Sequence, residues 1–172
     1  AFTESESIIK SMKINNLIFI FRVTFRNYLI FFHNIAILIA LYLFYKNIIF
    51  SYYLIFVPII LLIYFSVLFP LGGIFAIIAT RFRDIQSLTK SILQIIFFLS
   101  PIIWMPSFVP DSKIFIIDYN PVFHFIDLFR GIVLYQELNF HSLIIILSFA
   151  LLFNLIFFFL YKLNYKKIVF WL

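Results

Sequence analysis

Long apolar runs, broken by short polar or proline-bearing interludes, set the pattern of this chain. Positions 28–45, 52–80, 88–104 and 143–161 are each dominated by Ile, Leu, Phe and Val. Such runs approach or exceed the ~20 residues a helix needs to cross the hydrocarbon of a bilayer. The pattern predicts an all-α, polytopic membrane protein with four spans. Residues 1–27 precede them as a cytoplasmic, interfacial segment, and 28–172 form the transmembrane domain. Within 1–27, Arg22 and Arg26 stand four apart and share a helical face, with Leu17, Ile18, Phe21 and Phe25 nearby. That spacing fits a helix at the membrane surface or the flared foot of the first span. A snorkelling flank and a docking face for a partner are the competing readings of the two arginines.

The interludes carry their own signals. In the second run, Pro58, Pro70 and the pair Gly72-Gly73 offer kinks and close helix contact. Arg81-Phe82-Arg83-Asp84 is a short charged turn. Ser100-Pro101 predicts a break near the end of the third run. Residues 105–141 mix prolines and charges with apolar stretches at 114–117 and 122–134 that are too short to cross. Such stretches read as external re-entrant or interfacial helices. Asn120 is placed to cap one of them, with Pro121 at its first position. Arg130 is expected to pair with Asp127 three residues before it, or to meet a phosphate at the outer face.

Charge fixes an orientation. Of the thirteen Lys and Arg, ten fall before the first run, in the second-to-third turn or in the tail. Under the positive-inside rule these are cytoplasmic, which puts both chain ends inside and 105–141 outside. Four spans satisfy that arithmetic, and three or five do not.

Composition narrows the chemistry. The chain is 65% hydrophobic and 12% charged, too few charges for the surface of a soluble domain. Its net charge of +6 comes from residues flanking apolar runs, so a membrane, not nucleic acid, is the expected partner. There is no cysteine, which excludes disulfides and thiolate chemistry. The three glycines form no phosphate-cradling loop, and His33, His124 and His141 show no metal spacing, so no cofactor or metal is expected. Asp118 and Asp127 suit a carboxylate pair for glycosyl transfer, although solvated helix flanks are the plainer reading. The spans themselves hold essentially no ionisable residues, which argues against a gradient-driven carrier and for an external ATPase.

Several short motifs together resemble a known family. Arg81-Phe82-Arg83-Asp84-Ile85, then Leu88 to Ser100-Pro101-Ile102-Ile103-Trp104, then Asn120-Pro121 and Arg130-Gly131, look like the membrane subunits of polysaccharide ABC exporters, the type-2 class. Ile8-Ile9-Lys10, Arg22, Arg26-Asn27, His33-Asn34 and the closing Phe170-Trp171-Leu172 are similar to its O-antigen branch. The resemblance implies a homodimeric pore in a bacterial inner membrane. Two copies of a separate nucleotide-binding ATPase subunit would drive it, and the substrate would be a lipid-linked polysaccharide of O-antigen, capsule or teichoic acid type. It implies no enzyme activity in this chain. Family members have six spans, so the resemblance also implies a longer N-terminal part with two more. It assigns Lys10, Lys13, Arg81, Arg83 and Asp84 to the cytoplasmic, ATPase-facing side. It assigns Ser100, Pro101, Trp104, Asn120, Pro121 and Arg130 to an external gate or channel mouth. An integral-membrane enzyme of envelope glycan synthesis and a stand-alone lipid-linked sugar flippase are the alternatives.

Overall fold

A computed structural model describes residues 2–11, 14–44, 52–104, 106, 109–110 and 115–172. Among them all regular structure is helical. A short turn at Thr3–Ser5 leads into α1 (Glu6–Ser11), and α2 (Leu17–Phe44) follows. A 3-10 turn, Tyr52–Phe56, leads into α3 (Val57–Arg81), with Pro58 in its first turn, where no backbone donor is missed. Next come α4 (Ile85–Leu99), the single turn α5 (Phe115–Asp118) and α6 (Pro121–Arg130). A π-helical turn, Gly131–Tyr135, joins α6 to the segment before α7 (Phe140–Asn164), and α8 (Ile168–Trp171) closes the chain.

Tyr52–Arg81 and Phe140–Asn164 are long and apolar enough to cross a membrane. Only 22% and 17% of their most apolar windows are buried within the chain, whereas a soluble protein's core helix is mostly buried. The expected first run is part of one unbroken 28-residue helix that starts at Leu17 and includes Arg22 and Arg26. Its last residue, Tyr45, and the tether that follows lie outside the described residues. The third run is a 15-residue helix, about 22 Å long. It begins before Leu88 and stops at Leu99, short of Trp104. Pro101 explains the stop: it bars the helical conformation at Ser100, which is extended at φ −88°, ψ 142°.

The centre of the fold is a parallel pair. Ile60 and Val67 of α3 cluster with Ile146 and Ala150 of α7, and further along Ile77 meets Phe157. Gly73 makes the close approach possible, because a Cβ there would lie 2.3 Å from a Phe157 ring carbon. One polar bond links the two helices mid-way. Pro70 sits inside α3 and has no N–H for the Ser66 carbonyl four residues back. The Asn154 side chain of α7 donates to that carbonyl at 2.8 Å. The proline's defect is thus repaired from the neighbouring helix, as membrane helices require.

Helix α2 runs antiparallel to α3. Ile20 joins the Ile77 cluster, Thr24 faces Gly72, and the Tyr28 hydroxyl donates to the Leu61 carbonyl at 2.9 Å. The start of α2 is tied to the end of α7, since Asn16 donates to the Tyr165 carbonyl and the Tyr161 hydroxyl to Asn15 Oδ1. Helix α4 packs least: none of its residues is buried.

Candidate functional site

The residues expected at the external gate come together at the end of the fold where α3 and α7 begin. Asn120 caps α6, its side-chain oxygen accepting from the Val122 N–H at 3.0 Å, and Pro121 fills the first helical position. The same side chain donates to Ser100 Oγ at 3.0 Å, tying the start of α6 to the end of α4. Arg130, at the other end of α6, donates to the Pro101 carbonyl at 3.3 Å. The Trp104 indole N–H donates to the Phe98 carbonyl, one of the acceptors that the end of α4 leaves open. Ser100 and Pro101 are buried, and Trp104 is half-buried.

The expected Arg130–Asp127 pair does not form. Among the described residues the only ion pair is Lys10–Glu6. Asp127 instead accepts from the Asn139 amide at 2.7 Å and the Ser142 hydroxyl at 2.8 Å. Arg130 instead reaches the break in α4, and the helical path runs on through the π-helical turn to Tyr135 before the chain reverses. The reversal brings the Glu137 carbonyl to 3.0 Å from where a Gly131 side chain would begin, and Gln136 takes the left-handed conformation at φ 58°.

Helix α6 is wedged among α2, α3 and α7. Leu128 and Ile132 are fully buried against Ile60, Val67, Ile146 and Ala150. The Tyr64 hydroxyl donates to the Phe125 carbonyl, and Phe129 meets the edge of Phe31. Open hollows of about 590 Å³ and 430 Å³ flank Asn120-Pro121, with Phe115 and Tyr119 lining both.

Sequence reasoning missed a polar network beneath this junction. His124 is buried, with Nε2 2.8 Å from the Asp118 carbonyl oxygen and Nδ1 3.1 Å from Ser142 Oγ. Ser142 turns its hydroxyl hydrogen to Asp127, so it is not arranged as a nucleophile activated by the histidine. Asn139 completes the network and caps α7 through the His141 and Ser142 N–H groups. An Asn just before an apolar run is the one available signal for that cap. The Asp118 carboxylate is exposed and shares the larger hollow with His124 and His141.

Removing the Asn120 side chain tests the junction. Asn120→Ala deletes a helix cap and the bond to Ser100, and is expected to lower stability by about 1–2 kcal/mol. Thermal unfolding of the purified protein in detergent checks the loss, and Asn120→Asp, which keeps the cap, should recover part of it.

At the opposite end the basic residues gather. Arg81 stacks over Phe82 and Trp171, at 5.3 and 5.4 Å from the ring centres. Lys10 holds Glu6 at 2.6 Å and, with Arg83 contributing, keeps that carboxyl below its usual range. The favourable effect of this exposed pair is present at neutral pH and fades as pH falls through the lowered Glu6 value. Arg83 and Asp84 are exposed in the turn before α4, while Lys13 lies outside the described residues.

The register of α2 places two arginines alongside the neighbouring helices. Asn16 is level with the last turn of α7, so Arg22 and Arg26 lie about 9 and 15 Å along the helix from that level. Both are exposed, on the face turned away from α3. An arginine near the centre of a bilayer costs about 3 kcal/mol on insertion scales, unless water or an anion meets it.

No family model, curated protein or solved structure matches the chain.

Proposed function

We propose that this chain is the membrane-spanning subunit of an ATP-driven exporter that moves a lipid-linked polysaccharide across a bacterial inner membrane. The observation that carries the reading is the junction of α4 with α6. Ser100 with Asn120, and Pro101 with Arg130, are 20 and 29 residues apart in sequence, and polar bonds join them beside aromatic-lined hollows. Sugars present apolar faces to aromatic rings, so Phe115, Tyr119 and Phe149 suit a mouth through which a glycan slides without being held in one register.

Four crossings and a re-entrant α6 fit the same geometry. The parallel direction of α3 and α7 supports this count, because two parallel spans need an odd number of crossings between them. Helix α4 with the 100–104 turn supplies the return, and α2 supplies the first crossing. Helix α6 then tucks into the outer side, against the first three turns of α3. The basic end, with Lys10, Arg81, Arg83 and Asp84, faces the cytoplasm and an ATPase subunit. Two copies of the chain would close the pore.

Because the chain has no cysteine, single introduced cysteines report topology without background. Tyr119→Cys is expected to react with a membrane-impermeant maleimide from outside and Lys166→Cys only after the membrane is opened. Labelling of both from one side refutes the four-span arrangement. The exporter reading itself is tested by affinity purification and by deletion. A nucleotide-binding subunit should co-purify, and surface polysaccharide should disappear in the deletion strain.

The polar network and the Asp118-lined hollow favour one alternative, a membrane enzyme acting on a lipid-linked sugar. Asp118→Asn with Asp127→Asn separates the two: a pore keeps its transport, whereas a transferase loses its reaction.

A further inference from the structure

Arg22 and Arg26 raise a question that the gate and the basic end do not answer. They lie four residues apart on α2, and His33 lies eleven residues after Arg22. At about 100° per residue the three fall within ~40° of one face. That face points away from α3, and all three side chains are exposed. No described acidic residue meets either arginine. Glu4, Glu6 and Asp84 sit at the basic end, while Asp118, Asp127 and Glu137 sit at the gate end. A second copy of the chain, carrying the same charges at the same levels, therefore brings none of these six carboxylates to the depth of Arg22 and Arg26.

We propose that Arg22 and Arg26, continued outward by His33, form a binding track for the phosphate or diphosphate group of a lipid-linked substrate. The inference rests on the exporter reading and deepens it by naming where the charged head of the substrate is held. The guanidinium groups have the donor geometry for phosphate oxygens, which a lysine at the same place would meet only as a point charge. The i, i+4 spacing lets both arginines engage a single diphosphate. The exposed, apolar flanks of the stripe, Phe25 and Leu29, leave room for the lipid chain beside it. His33 lies about 10 Å further along the helix axis than Arg26, on the gate side, where the head would pass next.

The test uses the full chain in detergent with farnesyl diphosphate as the probe. Farnesol is its uncharged counterpart, inorganic pyrophosphate stands for the free anion, and phosphatidylglycerol stands for bulk anionic lipid. Farnesyl diphosphate should bind, and its affinity should fall at least tenfold in R26Q and further in R22Q/R26Q. R22K/R26K should show an intermediate loss. Farnesol and phosphatidylglycerol should bind at least tenfold more weakly than farnesyl diphosphate, and inorganic pyrophosphate more weakly than its lipid-linked form. The glutamine variants remove a charge from lipid depth, so an unchanged or raised melting temperature is expected and serves as the folding control.

Equal binding by wild type and R22Q/R26Q overturns the site. Equal binding of phosphatidylglycerol overturns it in favour of an anchor for bulk lipid, and equal binding of farnesol overturns any role for the phosphate. The outcomes also separate this inference from the reading beneath it. An ATPase that co-purifies while the arginine variants bind normally sinks the track and leaves the exporter. Arginine-dependent diphosphate binding without any ATPase sinks the exporter and leaves the track.

Discussion

Asn154→Leu is expected to destabilise the protein by about 2–3 kcal/mol, and Pro70→Ala is expected to return most of that loss. The first change leaves the Ser66 carbonyl without a donor, because Pro70 has no N–H to offer and Asn154 supplies the bond from across the interface. An unpaired backbone carbonyl in a water-poor environment carries the full cost of its lost solvation. Alanine at position 70 restores the helix's own bond to Ser66 and also relieves the proline's clash in the helix, so the single Pro70→Ala variant is needed to isolate the part that acts through that carbonyl. Thermal unfolding in detergent of the wild type, the two single variants and the double variant gives the coupling energy. A double variant as unstable as Asn154→Leu alone would show that the asparagine acts through some other contact.

The second large effect lies one turn away. Gly73→Leu places a branched side chain where even a Cβ would stand 2.3 Å from the Phe157 ring. Phe157 is itself buried in the cluster that joins α3, α7, α2 and α8. The ring cannot swing away without opening that cluster, so a loss of about 3 kcal/mol is expected, the upper end of the overpacking range. Gly73→Ala should lose less, since alanine gains roughly 1 kcal/mol of helix propensity over glycine. Phe157→Ala in the same chain should restore much of the loss in Gly73→Leu, because the leucine fills the space the ring vacates. If Gly73→Leu unfolds at the wild-type temperature, the parallel packing of α3 on α7 is wrong.

Much of this architecture was legible in the pattern of residues, for identifiable reasons. Apolar run length announced α3 and α7, because a helix in hydrocarbon must be apolar on nearly every side. Ser100-Pro101 announced the end of α4, and Asn120-Pro121 announced the start of α6, because these residues act through local backbone geometry. Local rules also mark where they fail. The i, i+3 spacing of Asp127 and Arg130 suggested a pair, yet both are claimed by groups distant in sequence, Ser142 with Asn139 and the Pro101 carbonyl. The buried network around His124 was invisible because its members come from α5, α6 and the start of α7, whose juxtaposition no spacing rule encodes. That Arg22 and Arg26 belong to the same unbroken helix as the first apolar run was not legible, because a run of apolar residues shows where a span continues but not where its helix begins.

Helix α4 is an isolated strut. Its first turn emerges from the charged turn that follows α3, and its last is pinned to both extremities of α6 through Ser100 and Pro101. Between those two attachments it makes few contacts and buries none of its residues. A push on residues 81–84 therefore has little to absorb it along the ~22 Å of the rod. It is delivered to α6, the wedge beneath the aromatic hollows, so that a displacement at the basic end of the fold is felt at the opposite end.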